Sequence, residues 1–175
     1  MKRNVFNYLV IAAFVISAMF TSCGGGSGSG GGKSSGKIKM TTESDGNFSF
    51  SLSGSGTATV NWGDGSEKVT LTLSERGVDF EHKYPNASIR NITINGDNIT
   101  GLECRYITSL DVSRCTELTS LYCYGEFTSL DVSKNSALTM LSVFGQLTNL
   151  DVSKNTALTR LYCSSNQLTS LDVSK

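Results

Sequence analysis

The sequence predicts a mainly β protein: a small β-sandwich followed by a short solenoid, with parallel strands on one wall and tight turns or 3-10 segments on the other. Two observations carry this. Leu-Asp-Val-Ser begins at Leu110, Leu130, Leu150 and Leu171, and a unit that short cannot bury its own core, so it must stack on its neighbours. Upstream, short segments alternate apolar with polar residues between gaps containing Gly and Ser, the pattern of half-buried strands. Stacked coils are built mainly for surface, which sets binding ahead of chemistry among the expected functions.

At the N-terminus, Lys2 and Arg3 precede a mostly apolar run from Val5 to Phe20, and Thr21 and Ser22 lead to Cys23, the form of a secretory signal. The segment resembles a bacterial lipoprotein signal, which implies that residues 1–22 are removed and that Cys23 carries the lipid. An ordinary signal peptide with a chance cysteine is the alternative. Gly24, rather than Asp, follows the cysteine, and in lipoproteins this implies the outer rather than the inner membrane. Buried acyl chains contribute about 0.8 kcal/mol per CH₂, so several on one residue hold a protein durably. Residues 23–37 then comprise the lipidated cysteine and a tether of almost only Gly, Ser and Lys, a composition that behaves as flexible coil.

Residues 38–97 read as the sandwich. Ile38-Lys-Met40, Phe48-Ser-Phe50-Ser-Leu52, Ala58-Thr-Val60-Asn-Trp62 and Val69-Thr-Leu71-Thr-Leu73 each alternate, and short strands at this spacing suit two packed sheets. Asp64-Gly65 is a hairpin signal, because glycine supplies the positive φ of the turn. Val60-Asn-Trp62-Gly63-Asp64-Gly65-Ser66 is similar to the Trp/Phe-Gly-Asp-Gly turn of PKD-type immunoglobulin-like domains, and His82-Lys-Tyr84-Pro85, followed by a strand at 89–94, matches that family's later His-x-Tyr segment. A domain boundary is expected near Gly96-Asp97-Asn98.

Residues 98–175 read as about four repeat turns, the last incomplete. Between the Leu-Asp-Val-Ser blocks lie Leu121-Tyr-Cys123, Leu141-Ser-Val143 and Leu161-Tyr-Cys163, with an irregular first copy at Leu102-Glu-Cys104. Alternation turns Leu161 and Cys163 inward while Arg160, Tyr162 and Ser164 face out. The run from Leu158 to Leu168 fits LxxLxLxxNxL, and residues 102–175 resemble the short-repeat, internalin-like leucine-rich proteins, in the version found on surface lipoproteins of Gram-negative commensals. In that family the asparagine bonds backbone groups along the stack. Here it stands only at Asn166, while the copies at Leu121 and Leu141 run one residue shorter and carry Gly125 and Gly145. The early turns are therefore expected to be less firmly held. The end at Ser174-Lys175 falls in mid-repeat, an expectation of either truncation from a longer array or an end that packs on something.

Fifteen basic and fifteen acidic residues balance, so no basic field exists to attract nucleic acid. His82 is the one histidine, and no phosphate loop or zinc pattern occurs, so neither catalysis, cofactor nor metal is expected. His82 reads as a turn or sandwich-edge residue beside Tyr84, with a lone acid–base role as the alternative. Cys104, Cys123 and Cys163 share one repeat position with Val143, and Cys115 stands where Asn135 and Asn155 stand later. They read as small buried hydrophobes, with a Cys104–Cys123 bridge left open.

Two columns remain. Tyr122, Tyr124, Phe144 and Tyr162 should project from the strand wall beside Glu103, Arg105, Met140 and Arg160. Arg105, Tyr122, Tyr124, Phe144, Arg160 and Tyr162 are thus candidate ligand contacts for a host or bacterial protein or a glycan; mutual shielding of the sheet is the alternative. On the other wall Asp111, Asp131, Asp151 and Asp172 recur, each three residues before Arg114, Lys134, Lys154 or Lys175. In a tight helical wall such pairs nearly eclipse, which predicts carboxylate–cation pairing, with divalent-cation binding as the alternative. The expected function is a lipid-anchored surface binding or adhesion protein. The alternative is a structural or remnant repeat module that self-associates end to end.

Overall fold

Ten strands carry the regular structure of residues 35–173, the part that the structure, a computed structural model, describes. They are β1 (Ser35–Thr42), β2 (Gly46–Gly54), β3 (Thr57–Asn61), β4 (Val69–Thr72), β5 (Val78–Tyr84), β6 (Arg90–Asp97), β7 (Ile99–Asp111), β8 (Ser120–Gly125), β9 (Met140–Phe144) and β10 (Arg160–Tyr162). No helix occurs among the described residues, and tight turns, not 3-10 segments, form the second wall. The signal segment, Cys23, the tether up to residue 34 and the last two residues lie outside the described part. The folded part begins earlier than expected, because Ser35, Gly36 and Lys37 pair with Asp97, Gly96 and Asn95 instead of continuing the tether.

One row of strands runs β4-β3-β6-β1-β7 and a second runs β5-β2-β7-β8-β9-β10. Pairing is antiparallel throughout the first row and from β5 to β7, and parallel from β7 to β10. β7 belongs to both rows. Residues between Ile99 and Cys104 pair with β2, those between Ile107 and Asp111 pair with β1, and the opposite edge takes β8. The boundary expected near residues 96–98 is therefore a turn inside the sheet, closed by Asn98 at φ 48°, and the described residues fall in one unit.

The core follows the same path without a break. Ile38, Met40, Val60, Ile92 and Ile94 are buried with Phe48, Phe50, Leu52 and Phe80, and Phe50 lies 5.6 Å from Trp62 and 5.4 Å from Phe80, ring centre to ring centre. Burial continues through Leu102, Cys104, Leu121, Cys123, Leu141 and Val143, the inward residues of the alternation. Full burial of one such Leu or Phe contributes about 1.5–3 kcal/mol.

Polar ladders hold the coils in register. Thr119, Thr139 and Thr159 each donate a hydroxyl to a carbonyl one coil back, at 3.0 Å in every case. Asn135 and Asn155 are wholly buried. The Nδ2 of Asn135 donates to the carbonyls of Val112 and Cys115 at 3.0 and 2.7 Å, and that of Asn155 to Val132 and Asn135 at 2.9 and 2.8 Å. The early turns thus possess an asparagine ladder on the opposite wall, which corrects the expectation of a weaker stack. Cys115 heads this column and supplies only a carbonyl to it. Asn166 behaves as the family resemblance implies: its Nδ2 donates to the Val143 and Cys163 carbonyls, and its Oδ1 accepts from the Gly145 and Leu147 amides. The shorter coils need their glycines, because a Cβ at Gly125 would run into the Ile107 carbonyl.

Asp111, Asp131 and Asp151 do not form the expected ion pairs with the cations three residues on, and Lys175, the expected partner of Asp172, lies outside the described residues. Asp111, Asp131 and Asp151 accept the backbone N–H of the serine two residues on, at 3.0, 2.8 and 2.8 Å. A turn of this kind serves the carboxylate locally, whereas an exposed lysine gains little by leaving water. Hydrogen bonds from Ser113, Ser133 and Ser153 are the main cause that holds these carboxyls below their ordinary value, and the neighbouring cations add less.

Replacing Asn135 by Ala removes two buried hydrogen bonds between coils, although the Val112 and Cys115 carbonyls keep their backbone donors, and urea unfolding should show a loss of about 1–3 kcal/mol; a loss within about 0.5 kcal/mol, the range of ordinary surface changes, would contradict the ladder. A carboxyl depressed in the folded state adds stability above its unfolded pKa and loses it as pH falls through the folded value. Melting temperature should therefore drop between about pH 5 and pH 2 by more in the parent than in the triple variant Asp111→Asn, Asp131→Asn, Asp151→Asn. Equal slopes would show that these turns do not contribute.

Candidate functional site

Register brings the outward side chains of six strands onto one face. Asp79, Ser51, Glu103, Tyr122, Ser142 and Tyr162 are successive partners from β5 to β10. One step along the strands lie Arg105, Tyr124 and Phe144; on the other side lie Ser53, Gly101, Ser120, Met140 and Arg160. Five inter-strand steps of about 4.8 Å give this face a length of about 24 Å. All six candidate residues, Arg105, Tyr122, Tyr124, Phe144, Arg160 and Tyr162, stand on it.

Their exposure differs. Tyr122 and Phe144 are half-buried against each other, with ring centres 5.8 Å apart, and the Arg105 guanidinium lies 5.1 Å from the Tyr122 ring centre. Glu103 accepts from that guanidinium at 3.1 Å and raises its pKa further. Mutual shielding therefore describes this pair, while Tyr124 and Tyr162 remain 47% and 52% exposed. The carboxylate and guanidinium orient each other beside the aromatic pair, an arrangement that offers flat apolar area with fixed polar edges.

Tyr106 was not among the candidates, yet it is 67% exposed and stands at the same end of the wall. It is the extra residue of a bulge, since Arg105 pairs with Tyr124 while Ile107 pairs with Gly125, and its φ of 59° aims the ring out of the regular alternation. The wholly buried Thr42 secures it by donating a hydroxyl to the Tyr106 carbonyl at 2.7 Å. The Tyr106 and Tyr124 rings meet edge to face at 6.1 Å.

No protein-family model matches the sequence. No curated protein matches it either. Among solved structures, the functional domain of InlJ from Listeria monocytogenes, described as including a cysteine ladder, is similar over 53% of this chain, with 37% identity and a TM-score of 0.42. The match spans 21% of that chain.

The remaining sequence candidates occupy structural positions. His82 stacks on Trp62 at 4.9 Å, meets the edge of Tyr84 at 4.7 Å, and places Nε2 at 2.6 Å from Asp64 Oδ2. The Ser66 hydroxyl, then its amide and His82, hold the Asp64 carboxyl well below the usual range against the opposing effect of burial. Tyr84 donates its hydroxyl to the Trp62 carbonyl at 2.8 Å, and burial first, then the Asp64 charge, pushes the phenol up to about 12. Cys104 and Cys123 are register partners and free buried thiols. Burial raises Cys104 well above the ordinary value, Cys123 to about 12 and Cys115 to about 11. No group of three His, Cys, Asp or Glu placed to hold a metal ion occurs among the described residues.

Proposed function

We propose that the protein is a lipid-anchored surface protein of the outer membrane that binds a protein or glycan through its strand wall, with Cys23 as the lipidated residue. In this reading residues 38–97 form a PKD-like spacer and the chain acts by binding, not by catalysis. The observation that supports it is the alignment of Tyr122, Tyr124, Phe144 and Tyr162 with Arg105 and Arg160 on one face of parallel strands. Aromatic and arginine side chains are enriched at recognition surfaces, where they combine large contact area with few rotamers to freeze. The asparagine and threonine ladders fix the strands beneath them, so little ordering cost is left for binding.

A second reading, assembly with another copy of the chain, is favoured by Leu171 and Val173, which are 36% and 59% exposed. Molecular mass that rises with protein concentration would support it, and a mass independent of concentration would remove it.

The wall reading is tested by binding to a panel of glycans and extracellular-matrix proteins, with the parent compared to the double variant Tyr122→Ala, Tyr162→Ala. A ligand bound by the parent should be lost in the double variant while circular dichroism stays unchanged. Binding that survives the double change would exclude the wall.

A further inference from the structure

At the bulged end of the wall lies a groove of about 590 Å³, bordered by Glu43, Tyr106, Tyr124, Glu126, Phe144 and Gln146. That volume falls in the range of about 300–1,000 Å³ typical of ligand-sized pockets. We propose that this groove receives the Lys or Arg side chains of an extended segment of a partner protein. The inference deepens the strand-wall reading and rests on it, since Tyr124 and Phe144 belong to both.

The groove is assembled by buried contacts. Thr42 Oγ1 donates to the Tyr106 carbonyl and accepts the Ser44 amide at 3.2 Å, which pins the turn carrying Glu43 beside the bulge. On the other side, the Glu126 amide donates to the Ile107 carbonyl at 2.9 Å and fixes the next coil against it. Two carboxylates and three aromatic rings from β7, β8, β9 and the β1–β2 turn thereby surround one space.

Charge selects the occupant. No Lys or Arg lines the groove, and the ion pairs found among the described residues involve neither Glu43 nor Glu126. A neutral sugar seated there offers hydroxyl hydrogen bonds to the two exposed carboxylates but no opposite charge. An ammonium or guanidinium group answers both carboxylates and also lies favourably over the faces of Tyr106, Tyr124 and Phe144. The middle of the wall differs, because Glu103 is already served by Arg105. Since the whole chain carries fifteen charges of each sign, attraction for a cation at this place is local rather than a general field.

The test is calorimetric titration of the protein with tetralysine and, separately, with cellotetraose, for the parent and for Glu126→Gln, Tyr106→Asn and Glu117→Gln, an exposed carboxylate of the opposite wall that does not border the groove. Asparagine tolerates the left-handed backbone at position 106, and circular dichroism confirms that each variant is folded. Tetralysine should bind saturably and more weakly as salt is added. Its Kd should rise about tenfold in Glu126→Gln and in Tyr106→Asn, and stay unchanged in Glu117→Gln. Absence of saturation at millimolar tetralysine, unchanged affinity in both groove variants, or binding of cellotetraose in the same place would overturn the proposal. Failure of the wall reading is seen separately, as a protein or glycan ligand that the Tyr122→Ala, Tyr162→Ala variant still binds.

Discussion

Strand β7 must satisfy backbone hydrogen bonds on both edges, and it does so with three different partners. Its first half lies between β2 and β8, and its second half pairs with β1. An unpaired buried amide or carbonyl costs as much as a lost hydrogen bond, so the antiparallel segment and the coils are obligatory to each other along this strand. The bulge at Tyr106 is the local consequence: a strand that serves two rows must turn between them, and an extra residue supplies the bend. The same bend lifts an aromatic ring to the rim of the wall.

From β7 outward, stability is a matter of nearest neighbours, as in any stack of small units. Apolar burial of Leu121, Cys123, Leu141 and Val143 attracts the coils to one another but is non-directional. The Thr and Asn ladders supply direction, because each donor reaches a carbonyl of the preceding coil. Register is then specified, and with it the placing of Tyr122, Ser142 and Tyr162 in one line. The face also extends backward over Glu103, Ser51 and Asp79, so the first segment contributes surface of its own to the wall.

Much of this was legible in the sequence because strand alternation is local. Inward Leu-x-Cys/Val and outward Tyr positions follow from a period of two, and the structure brings all six candidate residues to one face. Features set by distant partners were harder to read. Leu102 and Cys104 point inward with even numbers and Ile107 with an odd one; that change of parity was the available sign of the bulge at Tyr106. Asn135 and Asn155 sit in Lys-Asn turns that look like surface, yet the apolar Cys115 in the same column indicated burial. Asp111, Asp131 and Asp151 were assigned to the arginine or lysine three residues on, whereas the serine amide two residues on is closer and already oriented. No local signal showed that β7 would pair with β1, since that contact depends on a strand more than sixty residues earlier.

The central claim is that β7 makes the antiparallel segment and the coils one cooperative body. Trp62 is the chain's one tryptophan, lies in the first segment and is wholly buried, so its fluorescence reports unfolding there. Leu141, in β9 and also wholly buried, stands two strands beyond β7, and its replacement by Ala should cost about 2–5 kcal/mol. The measurement is urea unfolding of the Leu141→Ala variant followed by Trp62 fluorescence and by far-ultraviolet circular dichroism. If the body is cooperative, both transitions move together to lower urea. A Trp62 midpoint that stays at the parent value while the dichroism transition shifts or splits would contradict the account.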